Sequence, residues 1–76
     1  MYIDSTYTAC SIVEGFDGEQ HDPMTHMKAW AYLIKTKQAW SLQGWYGRNA
    51  SALIQAGYIT NDGELTEGCI SAMQVN

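Results

Sequence analysis

Positive charge is scarce in this chain. Among 76 residues only Lys28, Lys35, Lys37 and Arg48 carry it, against eight Asp and Glu, for a net charge of −4. Binding nucleic acid through its phosphates needs clustered cations, so this shortage argues against a nonspecific DNA or RNA role. Long apolar runs are missing too. The longest, Ala29-Trp30-Ala31-Tyr32-Leu33-Ile34, falls well short of the roughly twenty residues that a membrane-spanning helix requires. Cysteine is limited to Cys10 and Cys69, too few for a disulfide scaffold. The opening Met1-Tyr2-Ile3-Asp4 offers no basic stretch followed by an apolar one, as a secretory signal would. The expectation is therefore a cytoplasmic chain whose two thiols stay free and pack as small core residues rather than bridging.

What the chain does have is hydrophobic content of 46% with only 16% charged residues, a balance that excludes a disordered, charge-rich segment. Its 8.5 kDa scales to a folded surface of about 4,700 Å² against about 12,000 Å² unfolded, enough burial for one small core. Three Trp, five Tyr and one Phe are more rings than so small a core can hide. Some aromatic exposure is forced.

Glycines and the lone Pro23 punctuate the chain. Residues 5–14 read as a short helix, with Tyr7, Cys10, Ile12 and Val13 near helical spacing; the β-branched residues there keep a strand open as the alternative. Gly15 stands where a helix end favours a left-handed residue. Asp22-Pro23 is a helix start, with a capping carboxylate and a proline whose missing N–H costs nothing at the first position. A helix to about Thr36 follows, with Met27, Trp30, Ala31 and Ile34 as its inward stripe. Residues 37–44 read as an extended link that tucks Trp40 and Leu42 beneath the helices. The next helix covers about 45–56 with Tyr46, Ala50, Leu53 and Ile54 inward, and Gly57 ends it. Asn61-Asp62-Gly63 between Tyr58-Ile59-Thr60 and Glu64-Leu65-Thr66 signals a small β-hairpin near 58–66. Residues 67–73 add a last helical turn with Ile70 and Met73 folded back on the core. The fold class expected is mainly α, one compact domain over 1–76 with three to four short helices.

Motifs for catalysis and metals are thin. His21, Asp22 and His26 offer ligand atoms, but without a Cys-x-x-Cys or His-Glu-x-x-His pattern the simpler reading is a capping Asp22 and a solvated His26. Asp17-Gly18-Glu19 and Asp62-Gly63-Glu64 lack the alternating ligands of a calcium loop. No Gly-x-Ser-x-Gly elbow occurs, and neither cysteine has an adjacent histidine. The expectation is a protein that is not an enzyme and that holds no metal or cofactor.

The most distinctive stretch is Trp40-Ser41-Leu42-Gln43-Gly44-Trp45-Tyr46-Gly47-Arg48. Trp, Tyr and Arg dominate binding hot spots, so a partner-binding surface is expected around Trp45, Tyr46 and Arg48, edged by Asp17, Glu19 and Asp62. If Arg48 has a structural role instead, it braces a carboxylate such as Asp17 or Glu19. A winged-helix DNA-binding regulator built on residues 45–66 is a second reading. It offers only Arg48, Asn49 and Gln55 as groove readers and sets Asp62 and Glu64 against phosphates. Self-assembly through exposed aromatics is a third.

This stretch, continued by Leu53-Ile54-Gln55-Ala56-Gly57, resembles a signature of small bacteriophage proteins in which Trp-x-Leu-Gln-Gly-x-Tyr-Gly-Arg precedes a helix ending in Leu-Ile-x-x-Gly. An acidic turn matching Glu14 to Glu19 and a helix matching 23–36 lie upstream. The resemblance covers about residues 10–59, and the family pattern has a smaller polar residue where this chain has Trp45. It implies a phage accessory protein acting in the cytoplasm of a bacterial host, where it binds and modulates or inhibits a host protein of the defence, transcription or nuclease machinery.

Overall fold

The computed structural model describes residues 3, 5–15, 18 and 21–73. It forms four α-helices among these residues: α1 (Thr6–Glu14), α2 (Pro23–Lys35), α3 (Gly44–Gln55) and α4 (Glu67–Met73), with a 3₁₀ turn at Gln38–Trp40 between α2 and α3. The mainly α reading and its helix count hold. The radius of gyration, 11.5 Å, is what a compact chain of this length should have, about 11.4 Å.

Local chemistry places the helix ends. Ser5 caps α1, its Oγ accepting from the Thr8 N–H at 3.1 Å, and Gly15 closes the helix with its N–H on the Ser11 carbonyl. Asp22 caps α2 by accepting from the Thr25 N–H at 2.8 Å, with Pro23 directly behind it. Hydrogen bonding from Thr25 holds the Asp22 carboxyl below its usual range. At the end of α3 the Gly57 N–H meets the Ile54 carbonyl and the Tyr58 N–H meets that of Leu53. This paired geometry is the Schellman motif, with Gly57 left-handed at φ 86°.

Helix α2 is central. It packs against α1, α4 and the 3₁₀ turn, which in turn packs on α3. Ala29, Trp30, Ala31, Leu33 and Ile34 are all buried in it, a wider band than the single stripe expected, because neighbours cover it from several sides. The phase of α1 differs from expectation: Ala9, Ser11 and Ile12 are buried, while Tyr7 is 74% exposed. Ala9 and Ala29 both lie fully within the core, and small residues of this kind let two helices approach closely. The large ring goes outward.

The 58–66 segment is a turn rather than a hairpin. It contains one antiparallel bridge, Ile59 to Leu65, and no strand among the described residues. Gly63 explains the tightness. It is buried with φ 86°, and a Cβ there would stand 2.5 Å from the Lys35 nitrogen and 2.7 Å from the Ala31 carbonyl oxygen. The turn therefore lies directly on the α2 backbone, and the exposed Lys35–Glu64 ion pair at 2.9 Å only brackets it, since such pairs contribute about 0–1 kcal/mol. Beyond the turn, Thr66 Oγ1 donates to the Gly57 carbonyl at 2.6 Å and accepts from the Cys69 N–H at 3.1 Å, starting α4. That start buries Cys69 and leaves Ile70 38% exposed, which corrects the expectation that Ile70 folds inward. Both cysteines are free, as expected.

Two glycines make opposite predictions. Gly63→Ala combines left-handed strain with a backbone overlap, and should cost about 3 kcal/mol or more of unfolding free energy in urea titration. Gly47, in the first turn of α3, would meet its nearest neighbours at an ordinary 3.7 Å. Gly47→Ala should therefore raise stability by up to about 1 kcal/mol in the same titration.

Candidate functional site

The expected surface residues separate when the helix is built. On α3, Tyr46 and Ala50 point into the core, with Leu53 and Ile54 beside them. At about 100° per residue the opposite face is then Gly44, Arg48, Ser51 and Gln55, with Gly47 at its edge. Tyr46 is only 3% exposed and cannot serve as contact surface. Trp45 is half-buried against the core, its ring edge-on to Trp30 at 6.1 Å and 80°. Arg48 is exposed on the outer face. Asp62 is exposed on the 60–64 turn, which packs on α2, and Asp17 and Glu19 lie outside the described residues.

Tyr46 instead belongs to an aromatic cluster. Its ring centroid is 5.8 Å from that of Trp30 and 4.2 Å from that of Trp45. Its hydroxyl donates a short hydrogen bond to Glu14 Oε2 at the end of α1. Burial, then hydrogen bonding with the Cys10 thiol and the Glu14 carboxylate, pushes the Tyr46 phenol well above its ordinary value. Burial alone pushes the Cys69 thiol up.

Trp40 takes the place expected of Trp45. It is 49% exposed, a correction to the expectation that it tucks inward, and the cause is the link. The extended segment expected over 37–44 is instead a tight reversal. Lys37 adopts a left-handed φ of 68°, and its carbonyl accepts from the Trp40 N–H at 3.4 Å. The 3₁₀ turn that follows buries Ala39 and leaves the Trp40 indole at the rim of α3. A left-handed non-glycine residue costs on the order of 1–2 kcal/mol, which the packing of Ala39 offsets.

Between Trp40 and α3 runs an open groove of about 510 Å³. Ala39, Leu42, Gly44, Gly47 and Ala52 form its floor and sides, Gln43 and Gln55 lie toward its ends, and Arg48 and Ser51 supply the remaining polar groups. The Arg48 guanidinium lies over Gly44, so close that a Cβ there would be 3.1 Å from Nη1. No described residue pairs with Arg48 by an ion pair or hydrogen bond. Sequence reasoning missed Trp40 and the small-residue floor. The available signal was the spacing of Gly44, Gly47, Arg48, Ser51 and Gln55 at i, i+3, i+4, i+7 and i+11, opposite the apolar stripe.

The other readings find less. His21 and His26 stack edge to face with centroids 6.3 Å apart, and no group of three or more His, Cys, Asp or Glu among the described residues is placed to hold a metal ion. Of the proposed groove readers for DNA, Asn49 donates its amide back to the Trp45 carbonyl at 2.9 Å, and Glu64 of the supposed wing is paired with Lys35. No helix among the described residues is long and apolar enough to cross a membrane.

Fold and groove together define a small helical domain with an exposed tryptophan and, beside an open groove, an arginine that pairs with no described residue. Residues 10–75 match the family described as Domain of unknown function (DUF7417), and the chain belongs to that family. The match includes the whole of the Trp40–Arg48 stretch and the 60–66 turn. Comparison with curated proteins finds no match, and comparison with solved structures finds none either.

The buried phenol and thiol make stability sensitive to alkali. In the unfolded chain a thiol ionises near about 8.5 and a phenol near about 10, while the fold keeps both protons to higher pH. Their stabilising effect is complete below those values and is lost as pH rises above them, by at most about 1.4 kcal/mol per pH unit per group. The melting temperature should fall between pH 9 and 11 (thermal denaturation followed by circular dichroism). Tyr46→Phe should flatten the part of that fall above pH 10, while costing about 1 kcal/mol at neutral pH.

Proposed function

We propose that this chain is a non-catalytic bacteriophage accessory protein that binds and modulates or inhibits a protein of the bacterial host in its cytoplasm. It docks through the groove between the 3₁₀ turn and α3. The observation that carries the reading is the half-exposed Trp40 indole lining one groove with Arg48, which pairs with no described residue, among small residues. Trp and Arg lose the most binding energy on truncation when a partner desolvates them, and a flat floor lets a partner's backbone come close. The bacteriophage assignment draws on the resemblance of the Trp40–Arg48 stretch.

Catalysis finds no support in this groove. The one ionisable residue in its described lining is Arg48, and a guanidinium does not give up its proton at accessible pH. Ser51 lines the groove with no base among the described lining residues to activate it.

Affinity capture from host lysate with the intact chain tests the reading. Trp40→Ala and Arg48→Ala should each weaken retention of the partner by about 2 kcal/mol, roughly thirty-fold. Ile70→Ala, an exposed apolar position on α4, should leave it unchanged. A partner that both groove variants retain fully would reject the groove as the docking face.

A further inference from the structure

The groove differs in charge from the body that carries it. The chain has a net charge of −4, yet the described residues lining the groove include one cation and no carboxylate. Lys35, the cation nearest the turn, is spent on Glu64, and neither Lys28 nor Lys37 lines the groove. Arg48 is thus a cation with no described counter-charge, lying over Gly44. A guanidinium in that position presents its fork to a planar anion and pairs with a carboxylate through two parallel hydrogen bonds.

Resting on the docking reading above, we infer that the groove takes a short acidic segment of the protein partner, with one carboxylate on Arg48 and one apolar side chain against the Trp40 indole. Arg48 is the one cation in the described lining, so it sets the register of such a segment. From Gln43 to Gln55 the helix rises about 18 Å, a length that about five to six extended residues cover. The two glutamines toward the ends supply amide groups for the segment's backbone, and Gly44, Gly47 and Ala52 leave room for it. A nucleic acid strand fits poorly, because one guanidinium does not offset the repulsion of its phosphates by a chain of this charge.

Selection of random short peptides from a displayed library on the intact chain, with counter-selection on Trp40→Ala, tests this. The expected result is enrichment of Asp or Glu at one position, with an apolar residue a few positions away. A selected peptide should lose about tenfold or more in affinity on Arg48→Gln, and Arg48→Glu should instead bind the version carrying Lys for the acidic residue. Trp40-dependent peptides that are neutral or basic would overturn the acidic specificity while leaving the docking face standing. No Trp40-dependent enrichment would also overturn it, and the lysate capture then judges the docking face separately. A dimer in light scattering that Trp40→Ala dissociates would assign the groove to a second copy. Trp40-dependent binding of a short oligonucleotide would assign it to nucleic acid. Either outcome displaces the acidic segment.

Discussion

The Tyr46 ring is the point on which the arrangement of the helices depends. It lies against Trp30 of α2 and Trp45 of its own helix, and its hydroxyl reaches Glu14 of α1. Helix α3 otherwise rests mainly on the 3₁₀ turn, so this one side chain gives it a direct hold on two other helices. Burying such a ring is worth about 1.5–3 kcal/mol, and each aromatic pair adds about 0.5–1.5 kcal/mol. For a chain of this size, with total stability of about 4–11 kcal/mol, that is a large share. It also fixes the rotation of α3 about its axis, and the groove follows from that rotation.

Once Tyr46 faces inward, Gly44, Arg48, Ser51 and Gln55 must face outward, with Gly47 at the edge of that face. The reversal at Lys37 then decides what stands beside them. Left-handed backbone at a lysine is a cost that the link accepts, and the return is Ala39 in the core and Trp40 at the rim. An extended link would have turned both Trp40 and Leu42 inward and left α3 with a plain polar face. A partner of ordinary size covers about 800 Å² per side, roughly a sixth of the 4773 Å² this chain exposes. The groove can only be the centre of such a contact.

Much of the fold was legible because its signals are local. Asp22-Pro23, Gly15 and Gly57 act on hydrogen bonds within a few residues of themselves, and the helix boundaries they imply match the observed ones closely. The inward stripe of α3 was legible for the same reason. What was not legible depends on how elements meet. Tyr7 was expected inward because large apolar residues weigh most in a periodicity, yet close packing of α1 on α2 favours Ala9. The hairpin signal at Asp62-Gly63 was sound as a turn signal, but pressing Gly63 onto the Lys35 backbone leaves only one bridge. Cys69 displaced Ile70 because Thr66 sets where α4 begins. At the site, Arg48 was placed correctly on the surface and the two tryptophans were exchanged, since the 3₁₀ geometry of residues 38–40 leaves no periodic trace in three residues.

The nine-residue run from Trp40 to Arg48 therefore carries two separable tasks in one string. A helix turns neighbouring residues about 100° apart, so Trp45 and Tyr46 reach the core while Gly44, Gly47 and Arg48 reach the groove. Conformational demand and surface chemistry alternate along the same stretch and share almost no atoms. Gly47 is where they touch: it lies beside the Trp40 indole, where a Cβ would meet Cδ1 at an ordinary 3.7 Å, and it lowers helix propensity. A chain built for stability alone would place alanine there, since the space permits it. The glycine leaves a deeper floor beneath Trp40, which under the proposed docking reading makes room for a partner's backbone at the expense of α3 stability.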